Sequence, residues 1–161
     1  MDDNVIIKEL KGWVEITCGK QKEFYQQQLK DAKPIEVSSI YDVFSPKEVK
    51  AIIKKLKPKA KQCYRNASLL CKEFAFDKVH NVKYVEGKYT ALGAISLDHA
   101  FNIVDGHFVD ITMELAIGKT IEDIKKETYV SLLECNANDL MQYELKSGVY
   151  GNVYSTKFLG G

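Results

Sequence analysis

The chain has 161 residues, 45% hydrophobic and 28% charged, with a formal net charge of +1. That length lets one domain bury close to ~70% of its unfolded surface, so a single domain over residues 1–161 is expected. Near-neutral charge gives no general reason to expect nucleic acid or an anionic membrane as a partner. The opening MDDNVIIKEL holds no apolar run long enough for a signal peptide or a membrane span.

In chain order, KGWVEITC alternates as a strand would, with Trp13, Glu15 and Thr17 opposing Val14, Ile16 and Cys18. KQKEFYQQQLKDA reads as a polar helix ending near Lys33-Pro34. Ser45-Pro46-Lys47-Glu48 announces the next helix with an N-cap serine, a proline at the first helical position and a reciprocal glutamate. Its inner stripe is Val49, Ile52, Ile53 and Leu56, and Pro58 should stop it. A helix from about Lys61 to Phe74 follows, with Cys63, Ala67, Leu70 and Phe74 on one face and Cys71 beside them.

Three strand-like segments come next: NVKYVEG, GAISLDHAFNIV and HFVDITM. Thr120 begins a short helix with acidic residues in its first turn, where they suit the helix dipole. TYVSLLEC is another strand, and NANDLMQYELKSG a helix with asparagine at its start and Gly148 past its end. Early helices, a central run of strands and mixed later elements predict an α+β fold with an antiparallel sheet.

Asp105-Gly106 between two apolar alternating runs is a strong hairpin signal, because both residues tolerate positive φ. A two-residue loop sets Val104 opposite His107, Ile103 opposite Phe108, Phe101 opposite Asp110 and His99 opposite Thr112. His99 and Asp110 then share a face as diagonal neighbours, ~6–8 Å apart at Cβ. A carboxylate on one imidazole nitrogen fixes the tautomer and stabilises the charged ring, which is what a general base needs. An ordinary polar pair on a half-buried hairpin is the alternative. Asp105 is explained by the turn, Asp98 points to the other face, and His107 reads as solvated.

The cysteines, at 18, 63, 71 and 135, are scattered and read as reduced thiols of a cytoplasmic protein. Cys63 stands at a helix start, where the dipole favours thiolate and first-turn N–H groups can stabilise an oxyanion. The alternative is a buried small hydrophobe, the reading that fits Cys18, Cys71 and Cys135. Zinc is disfavoured, since Cys63 and Cys71 are eight apart and no Cys-x-x-Cys pair exists. No metal or cofactor is expected.

A cysteine opening a helix, a strand ending YVEG, and then HAFN…DG…VDIT together resemble the papain-like cysteine peptidase superfamily. The chain is closest to its compact bacterial and phage members and is also similar to the transglutaminase-like core. The resemblance spans roughly Gln62 to Thr112. It implies an antiparallel sheet packed on a central helix that carries the cysteine at its N-terminus, with a catalytic core at about 45–115. It also implies Cys63 as nucleophile, His99 as general base and Asp110 as orienting acid. HAFN departs from the family's HAW, with Phe101 replacing tryptophan. Gln62 adjoins the cysteine, whereas the family's glutamine lies several residues upstream, so the second oxyanion donor is unassigned.

Gln62, Asn66 and Glu86 are the candidate substrate-binding residues, with a solvent-facing strand position as the other reading of Glu86. The implied activity is hydrolysis of a peptide, isopeptide or other amide bond through a thioester, on a peptide or protein substrate. Transamidation, or an inactive binding module of the same fold, is the alternative. The seven lysines from Lys47 to Lys61 allow a nucleic-acid face, but no aromatics interleave and a solvated amphipathic helix explains them. The closing KFLGG resembles the Leu-Gly-Gly tails of conjugated modifiers, and a flexible end explains it equally.

Overall fold

Asn4 caps the first helix, its side-chain oxygen accepting from the N–H groups of Ile6 and Ile7. In the computed structural model, which describes residues 4–91 and 95–159, α1 runs over Val5–Ile16. The strand expected over KGWVEITC is therefore helical. Ile6 and Leu10 recur at helical spacing and are buried, and that period carries on through Trp13, which stacks on Tyr25 at 5.8 Å. The alternation over residues 13–18 is a short window on the exposed end of this helix.

The polar helix expected next is α2 (Gly19–Asp31), with exposed Cys18 as its N-cap residue rather than part of a strand. A three-residue strand β1 (Lys33–Ile35) and a 3-10 turn (Ile40–Asp42) lead to α3 (Pro46–Leu56). Both halves of the expected capping box form: Glu48 N–H donates to Ser45 Oγ and Ser45 N–H to Glu48 Oε1. Val49, Ile52 and Leu56 are buried, while Ile53, assigned to the same stripe, is 42% exposed. The helix that follows is α4 (Cys63–Glu73).

Strands β2 (Val82–Thr90), β3 (Ser96–Val104) and β4 (His107–Val109) come next. After them lie a π-helical turn (Thr112–Ile117), α5 (Ile121–Ile124), β5 (Thr128–Cys135), α6 (Ala137–Ser147) and α7 (Val153–Leu159). The fold is α+β, with one antiparallel sheet in the order β1-β5-β2-β3-β4. Gly93 and Ala94 of GAISLDHAFNIV, and Gly160-Gly161 of KFLGG, lie outside the described residues. Among the described residues no helix is long and apolar enough to cross a membrane.

The hairpin has the expected register: Val104 opposes His107 and Ile103 opposes Phe108 across Asp105-Gly106, whose φ values are 51° and 86°. Pairing stops at Asn102 opposite Val109, four residues short of the strand expected over HFVDITM. The cause is Asp110. Its Oδ1 accepts from Met113 N–H at 3.2 Å and its carbonyl from Glu114 N–H at 3.0 Å, so it caps a helical turn instead of continuing the strand. Phe101 and His99 consequently have no ladder partners in Asp110 and Thr112.

Helix α4 lies across β2 and β3 and runs in the same direction as β3, against β2. Cys71 Sγ donates to Val82 O near the β3 C-terminal end, and Asn102 Nδ2 donates to Ala67 O one turn earlier. Continuing by one more turn brings Cys63 toward the segment of β3 that carries His99. Ala67 and Leu70, buried with Ala100, Val104 and Leu140, fill the space between α4, α6 and the sheet. A second cluster, Val37, Val85, Phe101, Met113, Ile124 and Tyr129, surrounds the His99 side of the sheet. Helix α1 closes over Val130 of β5 through Ile6 and Leu10, with Tyr25 and Leu29 of α2 packed against them.

Candidate active site

Cys63 is the first residue of α4 and is half-buried. Gln62, the exposed N-cap residue, makes no side-chain cap, so no capping side chain covers the first-turn N–H groups beside the sulfur. The loop before the cysteine is held by Asn66. Its Oδ1 accepts from Lys59 N–H at 3.0 Å, and its Nδ2 donates to Lys59 O at 2.7 Å and to Thr112 Oγ1 at 2.9 Å. Asn66 is 1% exposed and spends its amide on these contacts, fixing where Cys63 stands.

His99 is buried on β3, with its ring 4.5 Å from the ring of Tyr89 and 6.1 Å from that of Phe101. Its Nε2 lies 2.7 Å from Asp110 Oδ2. The other ring nitrogen, Nδ1, does not contact Asp110, and Cys63 is close enough to the ring to bear on its protonation. Burial alone would drive the imidazole toward its neutral form. The Asp110 carboxylate, through charge and hydrogen bond, outweighs burial, and with Cys63 adding in the same direction the pKa rises to about 10.

Asp110 is 1% exposed, and burial would raise its pKa. The His99 charge and hydrogen bonds from His99, Tyr129 and Met113 N–H hold it below the usual carboxylate range instead. Every donor needed to keep this carboxylate ionised without water is present. Tyr129 O–H donates to Oδ2 at 2.7 Å, the oxygen that also faces His99. Burial first, then the Asp110 charge, pushes the Tyr129 phenol well up, so it stays a donor.

Cys63, His99 and Asp110 thus come together from α4, β3 and the end of β4. Glu86 lies elsewhere, and not at a cleft rim. It is 4% exposed, its Oε2 accepting from Tyr84 O–H at 2.5 Å and Val153 N–H at 2.9 Å, its Oε1 from Tyr154 N–H at 2.9 Å. It anchors the N-terminus of α7 to the sheet. Asp98 pairs with Lys88 at 3.0 Å on the solvent side, and His107 is exposed.

Two neighbours of the pair escaped sequence reasoning. Tyr89 and Tyr129 sit opposite each other across β2 and β5, and nothing in their local sequence says which strands are adjacent. The bulge at Glu86/Gly87 sharpens this part of the sheet. Gly87, opposite His99, passes so close to β5 that a Cβ there would stand 2.0 Å from Val130 O. Among the described residues, no three His, Cys, Asp or Glu side chains converge to hold a metal ion. Comparison with family models, with curated proteins and with solved structures finds no match.

Proposed function

We propose that the chain is a cysteine-dependent acyl-transfer enzyme that hydrolyses an amide bond, in the manner of the papain-like peptidases it resembles. One observation carries this reading: His99 stands between the buried carboxylate of Asp110, at 2.7 Å, and the side chain of Cys63 at the uncapped start of α4. A buried polar pair that served packing alone needs no thiol beside its ring.

The chemistry follows from that order. Cys63 attacks as the thiolate beside the His99 imidazolium, whose charge Asp110 stabilises. Sulfur attacks the carbonyl carbon, and the C=O electron pair moves to oxygen, where the first-turn N–H groups of α4 can receive it. Collapse breaks the C–N bond, and the imidazolium proton leaves with the amine. A water then attacks the thioester while His99 accepts its proton, and the acid departs as the thiolate is restored. The buried His99–Asp110 bond keeps the ring oriented through both halves. A peptide or protein is the substrate class, with Gln62, exposed beside the sulfur, at the mouth of the site.

Alkylation with iodoacetamide at pH 6, read by peptide mass mapping, tests the reading. Cys63 should be modified first, and a His99→Gln variant should lose that selectivity. Equal, slow modification of all four cysteines would overturn it. A folded Cys63→Ala variant should lose all turnover of a peptide-amide substrate panel cleaved by the unmodified chain.

A further inference from the structure

We propose that Tyr129 is a positioning residue that acts on His99 through Asp110, an assignment that rests on the acyl-transfer reading. The Tyr129 hydroxyl and the His99 ring share one acceptor, Asp110 Oδ2, each at 2.7 Å, while Oδ1 takes the Met113 N–H. Tyr129 is 3% exposed, and its ring stands edge-on to Phe101 at 5.6 Å and stacks on Tyr89 at 5.8 Å. It therefore has no freedom to turn its hydroxyl elsewhere.

Sharing the acceptor has a definite consequence. A donor on Oδ2 draws negative charge away from the side of the carboxylate that faces the imidazole. Asp110 then orients His99 without gripping its proton so firmly that the leaving amine cannot collect it. The groups facing the pair are Cys63 from α4, Tyr89 from β2, Glu127 just before β5 and Tyr129 within it. Glu127 carries its own cation, Lys119 at 3.7 Å, and meets the site through the two tyrosines. Tyr129 is the side chain besides His99 that donates directly to Asp110.

The experiment is an NMR titration of the full chain with labelled histidine, the His99 signal being assigned by its loss in His99→Gln. Tyr129→Phe should move the His99 midpoint upward by about half a unit to one unit. It should lower kcat by roughly tenfold at unchanged KM, the weight of one hydrogen bond to a charged group. Tyr89→Phe, which keeps the stack, should leave the midpoint in place. Site-specific 3-fluorotyrosine at position 129, a stronger donor, should move it downward, so the assignment stays testable if Tyr129→Phe fails to fold. A midpoint unmoved or lowered in Tyr129→Phe, or unmoved with fluorotyrosine, overturns it. The titration needs no substrate. Absence of selective Cys63 alkylation defeats the acyl-transfer reading, whereas selective alkylation with an unmoved midpoint defeats the Tyr129 assignment alone.

Discussion

Asp105 Oδ2 lies 2.7 Å from His80 Nδ1, and through that contact the turn of the His99 hairpin is tied to the loop after α4. The other ring nitrogen of His80 lies 2.8 Å from Glu48 Oε2 at the start of α3, and its ring packs edge-on to Phe44 at 4.6 Å. Asp105 also accepts from Asn81 N–H at 2.8 Å. One imidazole thus joins three segments that frame the hairpin, at its end remote from His99.

The Asp105 hydrogen bond, with Glu48 adding to it, raises the His80 pKa above its ordinary 6.5 despite partial burial. A raised histidine stabilises the fold fully below its unfolded pKa, and the contribution fades as pH rises through the folded value. Asp105 and Glu48 are lowered, so their shares fade as pH falls through the carboxylate range. Both carboxylates are partly exposed, which limits the bridge to about 1 kcal/mol. Urea unfolding of His80→Gln should show this deficit at pH 6 and much less of it at pH 9. A deficit independent of pH would mean that the ring contributes by packing alone.

The His99–Asp110 pair has a wider window. Asp110 is lowered, so its share is lost as pH falls through its folded value. His99 is raised to about 10, so its share is present below 6.5 and is lost as pH climbs through 10. Replacing Asp110 with Asn should cost about 3 kcal/mol between pH 5 and 8, because a charged imidazole is left buried without its partner unless it deprotonates. The deficit should shrink above pH 9. Turnover should fall roughly 10³- to 10⁴-fold, as when an orienting acid is removed from a triad.

Gly87→Ala should destabilise the chain by about 2–3 kcal/mol, since the new Cβ meets the Val130 carbonyl at 2.0 Å and the two strands must separate. Gly87 pairs with His99, so the strain is delivered to the site. Chemical denaturation together with the rate of Cys63 alkylation measures both effects. Wild-type stability in this variant would show that the bulge absorbs the methyl group.

The four thiols should separate in an alkylation time course. Burial pushes Cys71 up to about 12 and Cys135 to about 11, so both react slowly while the chain stays folded. Cys18 is exposed and supplies a background, which Cys18→Ser removes. In that variant Cys63 should take the label alone below pH 7. Rapid labelling of Cys71 or Cys135 under native conditions would contradict the buried placement of both.

Local signals in the sequence determined a large part of this protein. Ser45-Pro46-Lys47-Glu48 forms its capping box, Asp105-Gly106 sets the hairpin register, and Gly148 ends α6, because each depends only on a few neighbouring backbone groups. The hairpin brings Asp110 near His99, but the contact forms only because Asp110 leaves the strand to cap the following turn. Where a local pattern was short, it misled. Residues 13–18 alternate like a strand, yet the buried Ile6 and Leu10 upstream make the segment a helix.

Tertiary structure alone decided the rest. Which strands neighbour β2, and hence that Tyr129 reaches Asp110, depends on pairs 38 to 51 residues apart, from Thr90↔Thr128 to Tyr84↔Cys135, which leave no local trace. Glu86 looked available on an exposed strand until α7, folding back from the other end of the chain, took both its oxygens. Asn66 was likewise claimed by the Lys59 loop and Thr112. A side chain's type states which bonds it can make. Burial, set by packing among distant segments, decides which bonds it must make, because an unpaired polar group away from water costs more than any single contact returns.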